Sequence, residues 1–315
     1  MHHFLISVTL IFLATSVTAQ EPISPLEKIS GLNPDKISLG SFLFRDVRLS
    51  RDNTKSCFSC HDLTKHGSDS LPVGIGINGQ AGVIKTPTVY NSGFNFVQFW
   101  DGRSRTLENQ VSGPIHNPVE LGSNWAEVIH KLNSDPALLS RFNKLYVDGI
   151  TAANIADAIA VYERSLVTTG SRFDKWLAGD KNALTKNEIE GYRLFKGYGC
   201  ISCHQGKNVG GNMYARMGNI RDYFSERGKP ITQADLGRFN VTGLDWDKHL
   251  FKVPSLRLAS LQKYFFHDSS ESSLQGAIKV MARYQLGRDI GTYEAKLIEE
   301  FIESLAGTHP EMEVE

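Results

Sequence analysis

Apolar residues recur at helical spacing along most of this chain. Ile155, Ile159, Tyr162 and Leu166 fall on one face of a helix that Gly170 can end. Leu138, Leu139, Phe142 and Leu145 follow Asp135-Pro136, a cap and a first-turn proline. Leu297, Ile298, Phe301 and Leu305 mark a last helix. Asn124-x-x-Glu127, Thr185-x-x-Glu188 and Ser272-x-x-Gln275 resemble capping boxes, in which two side chains three positions apart satisfy free backbone N–H groups. Long alternating strands are absent, so the expected class is mainly α. Between the helices run long glycine-rich loops, 71–82 and 207–218. A compact domain rarely carries such lengths unless the loops have work to do.

The start of the chain bears on location. Phe4 to Val17 is an almost unbroken apolar run, and Val17-Thr18-Ala19 offers a small-residue cleavage site before Gln20. That is the layout of a secretory signal peptide, although only His2 and His3 stand where basic residues usually do. An uncleaved membrane anchor would need about 20 apolar residues, and the run falls short. Residues 1–19 are therefore expected to direct export to the periplasm, with no stable membrane insertion afterwards. The remainder is long enough for two domains of ~150 residues, expected at 20–170 and 171–315 with the boundary near Gly170. Lys plus Arg and Asp plus Glu both number 34. No basic stripe stands out, which argues against a nucleic-acid partner.

The four cysteines carry the chemistry. In an exported protein they would ordinarily suggest disulfides. Here each pair is followed at once by histidine, in Cys57-Phe58-Ser59-Cys60-His61 and Cys200-Ile201-Ser202-Cys203-His204. C-x-x-C-H is the pattern of c-type haem attachment. Two thiols three positions apart can each reach one vinyl group of a porphyrin, and the adjacent imidazole then reaches the iron as proximal ligand. A zinc or redox C-x-x-C competes with this reading, but both copies carry the histidine and together they use every cysteine. Two covalently bound haem c groups are expected, with His61 and His204 on the irons.

Each site follows a similar frame, Leu39-Gly40-Ser41-Phe42-Leu43-Phe44 before the first and Gly191-Tyr192-Arg193-Leu194-Phe195 before the second. This weak repeat suggests two tandem cytochrome c-like domains, one haem each, joined by long loops. A methionine in the sixth position makes an electron-transfer centre, whereas an open position admits a ligand. Met213, Met217 and Met281 are the candidates, and the residues by themselves do not choose among them.

A longer set of segments goes further. Leu43-Phe44-Arg45-Asp46, Thr86-Pro87-Thr88-Val89-Tyr90-Asn91 and Gln98-Phe99-Trp100-Asp101-Gly102-Arg103 are followed by Gly113-Pro114-Ile115 and Asn117-Pro118-Val119-Glu120. Asp235-Leu236-Gly237-Arg238-Phe239, Phe251-Lys252-Val253-Pro254-Ser255-Leu256-Arg257 and Phe266-His267-Asp268 complete the series. In this order and spacing, with both C-x-x-C-H sites, the chain resembles the bacterial di-haem cytochrome c peroxidases over nearly its whole mature length. The resemblance implies reduction of hydrogen peroxide at the first haem, held by Cys57, Cys60 and His61. It implies Met281 as the partner of His204 on the second haem, held by Cys200 and Cys203. Gln110 and Glu120 match the family's distal-pocket glutamine and glutamate, and Trp100 matches the tryptophan between the haems. Two bland roles compete, a helix-capping carboxylate for Glu120 and simple interface filling for Trp100.

The same resemblance suggests a homodimer and a small c-type cytochrome or copper protein as electron donor. Two positions depart from the pattern. Ile77 stands where many members carry a distal histidine, so the first iron is expected to rest open. His66 lies nearby and could substitute as ligand, but it reads as a surface histidine. Lys85 replaces a calcium-ligating asparagine; an ammonium offers no oxygen ligand, which leaves backbone carbonyls and water for any calcium ion. Two other functions compete: a relative that oxidises a partner protein, and a di-haem electron carrier without chemistry. The retained Met281 speaks against the first, and Gln110 with Glu120 against the second.

Overall fold

The computed structural model describes residues 21–313, so the apolar run and its cleavage site lie outside the described residues. The helices are α1 Pro34–Phe44, α2 Cys57–Cys60, α3 Leu107–His116, α4 Trp125–Asn133, α5 Pro136–Leu145, α6 Ala152–Ser165, α7 Arg172–Leu177, α8 Lys186–Tyr198, α9 Tyr223–Glu226, α10 Phe239–Thr242, α11 Leu274–Leu286 and α12 Thr292–Ser304. A short antiparallel ribbon, β1 Tyr214–Arg216 and β2 Leu250–Lys252, pairs Tyr214 with Lys252. The molecule is mainly α.

Local chemistry accounts for most helix starts. Asn124 accepts from the Glu127 N–H at 3.0 Å, and Thr185 and Glu188 cap each other reciprocally. Asp135 accepts from the N–H groups of Ala137 and Leu138 before the proline-led α5. Two boundaries move. Ser273 rather than Ser272 caps α11, because its hydroxyl is the one within reach of the Gly276 N–H, at 3.0 Å. α6 stops at Ser165, short of Gly170. There the Leu166 carbonyl is taken by the Asn91 N–H at 2.8 Å, and the Asn91 side chain grips Thr168. A tertiary hydrogen bond, not glycine, leads the chain out of the helix.

Apolar side chains gather into two main cores. One joins Leu39, Leu43 and Phe44 of α1 to Val111 of α3 and Ile155 and Ile159 of α6. The other joins Tyr192 and Phe195 of α8 to Ile298 and Phe301 of α12. The chain ends cross over, with Ile23 in the second core and Met312 against the first.

The two cores share one device. A Cβ on Gly40 would overlap the Ala158 carbonyl, and one on Gly191 would overlap the Leu297 carbonyl. In each case a glycine lets two helices cross at backbone distance. The phenylalanine one turn later, Phe44 or Phe195, then lies 6.4 or 6.5 Å from the histidine of C-x-x-C-H. Gly191→Ala is expected to cost about 1–3 kcal/mol by overpacking, read as a lower guanidinium midpoint. An unchanged midpoint would mean that the α8–α12 crossing can relax at no cost.

Candidate functional site

The first C-x-x-C-H forms the short helix α2. Ser56 and Ser59 cap it, with the Ser56 N–H donating to Ser59 Oγ at 3.0 Å. His61 follows, its Nδ1 3.3 Å from the Gly67 carbonyl oxygen. A proton held there leaves Nε2 as the free lone pair. Burial pushes the imidazole pKa below its ordinary value, so the ring is neutral and able to bind a metal. The thiols point the same way: burial raises Cys57 and lifts Cys60 to about 11. A redox C-x-x-C shows the opposite, a depressed thiol, and the four cysteines form no disulfide.

α3 and the turn after it bring up the expected distal residues. Gln110 is half-buried on α3, and the turn after the helix carries Glu120. Asn117 Nδ2 donates to Glu120 Oε1 at 2.7 Å. Burial raises the Glu120 pKa, while Asn117 and the charge of Arg103 oppose the rise. Helix capping does not explain this carboxyl, because Asn124 caps α4 instead. The glycine-rich loop closes on the same turn. The Ile77 N–H donates to the Glu120 carbonyl at 2.9 Å, and the buried Ile77 side chain fills space that a Cβ on Gly122 would need. His66 is not on the surface as expected. It is buried beside Gly67, whose carbonyl faces His61, and its own carbonyl accepts from Thr88 Oγ1 at 2.6 Å. The hydrogen bonds of the Thr88 turn draw it inward.

At the second site, Cys200–Ser202 form a 3-10 turn after Gly199, which ends α8 in the left-handed region. Burial takes the His204 pKa down to about 4 and Cys200 up to about 11. A mainly apolar cavity of about 290 Å³ opens here, lined among others by Cys203, His204, Met281, Phe251, Lys252 and Trp100. Its volume is near the lower end for cofactor pockets. Met217 also lines it, so the cavity admits two of the three candidate methionines. The residues fit a c-type haem: neutral buried imidazole, thioether sulfur, two flanking thiols and apolar walls.

Trp100 sits where the two halves meet. Its Nε1 donates to the Lys85 carbonyl at 2.9 Å, and its own carbonyl accepts from the Lys252 N–H at 2.8 Å. In return the Lys85 N–H donates to the His267 carbonyl at 2.9 Å. Trp100 and His267 face each other edge-on, ring centres 6.4 Å apart. Both follow a phenylalanine in the left-handed region, Phe99 at φ +67° and Phe266 at φ +66°. Bulky residues avoid that region unless their surroundings hold them there. Lys85 is buried, and its ammonium donates to Ser68 Oγ and the Thr86 carbonyl, each at 3.3 Å. The position where the resemblance puts a calcium ligand therefore carries a cation of its own.

Comparison with known proteins agrees with this architecture. The family model for di-haem cytochrome c peroxidase matches residues 34–182. The cytochrome c551 peroxidase of Nitrosomonas europaea is 43% identical over 299 residues, covering 95% of this chain and 88% of the relative. The chain belongs to the di-haem cytochrome c peroxidase family. The peroxidase is also 44% identical to cytochrome c peroxidase Ccp of Escherichia coli, over 92% of this chain and 62% of that longer protein. Its fold matches the crystal structure of a MauG-like protein associated with microbial copper homeostasis, with a TM-score of 0.77, 23% identity and coverage of 95% and 98%. As a member of the family it carries two haem c groups and reduces hydrogen peroxide.

A further buried carboxyl of the peroxidase is Glu163. It lies on α6, 5% exposed, with Oε2 buried and unpartnered. Burial lifts its pKa from 4.5 to about 8. Nothing in its local pattern marks it, since Tyr162-Glu163-Arg164 reads as an ordinary amphipathic turn. A carboxyl whose folded pKa is raised is more protonated in the folded chain than in the unfolded one. Stability should therefore fall as pH rises from about 4.5 toward 8. Glu163→Gln is expected to flatten the thermal midpoint over that range and to raise it at pH 8. Parallel curves for the two proteins would mean that the carboxyl is not held neutral.

Proposed function

We propose that the chain is two tandem cytochrome c-like domains, meeting near Gly170, in which the first site reduces peroxide and the second takes in electrons. Glu120 carries the assignment. It is a buried carboxyl with a raised pKa, steadied on one oxygen by Asn117, on the turn that follows the helix of Gln110. At the second site the corresponding chemistry is a thioether, Met281, in the cavity that holds His204.

Haem c held by Cys57, Cys60 and His61 would supply an iron for peroxide and, together with a second haem held by Cys200, Cys203 and His204, the two electrons of the reduction. The residues do the rest. A buried carboxyl with a raised pKa can both accept and return a proton, so Glu120 would take the proton from the inner oxygen and deliver it to the outer one. The Gln110 amide orients peroxide and steadies the charge that develops on oxygen. The balance is H2O2 + 2e⁻ + 2H⁺ → 2H2O. Trp100, hydrogen-bonded to Lys85 and Lys252 from either side, provides an aromatic bridge between the sites.

Export to the periplasm, a small c-type cytochrome or copper protein as donor, and a homodimer complete the reading. They are supported by the leader-like residues 1–19 and the family resemblance. Among the described residues no helix is long and apolar enough to cross a membrane. Oxidation of a partner protein is the competing activity. Ile77 is compatible with both, and Met281 in the same cavity as His204 favours the peroxidase.

Glu120→Gln is expected to lower kcat/KM for peroxide by roughly 10²–10⁴-fold, with haem content and the ferric spectrum unchanged. A loss below about tenfold would remove Glu120 from the chemistry. The as-isolated ferric protein is expected to show a high-spin component and to turn over without prior reduction, since isoleucine cannot ligate iron. Two low-spin haems and a lag abolished by reduction would sink the open-site reading.

A further inference from the structure

Buried charges in this protein are usually met by a partner. Asp174 lies 2.6 Å from Arg257, and Asp235 lies 2.6 Å from Arg227 and 2.7 Å from His267. Lys85 has its two oxygens. Lys252 is different. It is 8% exposed, and no hydrogen bond or ion pair to its ammonium is found among the described residues. Burial alone, with no acidic neighbour acting on it, lowers its pKa to about 8. Its Nζ is not among the sealed, unpartnered atoms, so the ammonium opens onto free space without a protein counter-charge.

Nor is the residue free to leave. Lys252 is the last residue of β2 and pairs with Tyr214 of β1. Its N–H is bound by the Trp100 carbonyl at 2.8 Å, and the next N–H, of Val253, by Met213 O at 3.0 Å. With the backbone held this way, Lys252 is one of the residues lining the same cavity as Cys203, His204 and Met281. The cavity wall is otherwise mainly apolar, as a porphyrin ring requires. A porphyrin of the haem c type also carries two propionate carboxylates, its only charged substituents, and each seeks a donor.

We propose that Lys252 is the counter-ion of a propionate of the second haem and holds that haem's reduction potential up. The proposal rests on the reading that Cys200, Cys203 and His204 carry haem c. Its internal counterpart clarifies the assignment. Lys85-Thr86-Pro87 and Lys252-Val253-Pro254 occupy matching places, each lysine giving its N–H to the residue after a left-handed phenylalanine in the other half. Both lysines line the cavity, but the Lys85 ammonium donates to protein oxygens and the Lys252 ammonium to none among the described residues. A cation beside the porphyrin favours the reduced iron, which carries one positive charge fewer. Pairing also cancels a carboxylate that would otherwise favour the oxidised form.

The test uses holoprotein with Lys252→Met, which keeps length and removes charge, and Lys252→Arg, which keeps both. Haem is counted by pyridine haemochrome, and the potential of the methionine-ligated haem is followed spectroelectrochemically from pH 5 to 9. Lys252→Met should retain two haems, lower that potential and make it more pH-dependent near neutrality, as the unpaired propionate titrates. Lys252→Arg should stay close to the parent. An unmoved potential and pH profile in Lys252→Met, with or without lost stability, would overturn the proposal and leave Lys252 a structural residue. If Lys252→Met does not fold, resonance Raman of Lys252→Arg decides: a shifted propionate bending mode supports the contact and an unshifted one refutes it. Fewer than two haems in the parent protein would sink the reading of the site itself, a result distinct from two haems with an unmoved potential.

Discussion

Two backbone hydrogen bonds, exchanged between the halves of the molecule, hold the rest in place. Lys85 gives its N–H to the His267 carbonyl, and Lys252 gives its N–H to the Trp100 carbonyl, at 2.9 and 2.8 Å. Each accepting residue follows a phenylalanine in the left-handed region, a conformation that costs on the order of 1–3 kcal/mol and persists only where the surroundings enforce it. The strain turns Trp100 and His267 toward each other at the junction. That exchange fixes the edge-on pairing of Trp100 with His267 and anchors the end of β2, where Lys252 lines the second cavity.

Around this seam the low dielectric acts on each ionisable group according to its partners. Desolvation disfavours charge, so His204 is held neutral with a pKa near 4 and Glu163 is lifted to about 8. Where partners exist the outcome reverses. Asp235 is pushed well below the carboxylate range despite its burial, because Arg227, Thr232 and His267 all donate to it. Asp235, His267 and Asp268 converge closely enough to suggest a metal centre. Arg227 is already paired with both carboxylates, at 2.6 and 2.8 Å, and supplies the positive charge that a metal would bring.

The two halves are alike in frame and unlike in chemistry. Gly40 and Gly191 permit the same close helix crossing, and Phe44 and Phe195 approach the two histidines at nearly the same distance. The difference lies in what each half brings next: Glu120 and a pinned isoleucine loop in one, Met281 on α11 in the other. A close helix crossing needs only small residues at fixed points and leaves the facing residues free to differ.

Much of this was legible in the sequence. The C-x-x-C-H sites, the caps at Asn124, Asp135 and Thr185, and the apolar stripes of α6 and α12 each depend on residues a few positions apart, and local stereochemistry decides them. The end of α6 was not legible, because Asn91, far back in the chain, takes the Leu166 carbonyl. The burial of His66 and the neutrality of Glu163 were hidden for the same reason. The reciprocal bonds of Lys85 and Lys252 with the opposite half were likewise not legible. The sequence by itself determined the attachment chemistry and the helical class, since both arise from near neighbours. Only the tertiary structure decided which buried charges are satisfied and which are left to face a cavity, because that depends on the contacts and the desolvation created when distant segments close on one another.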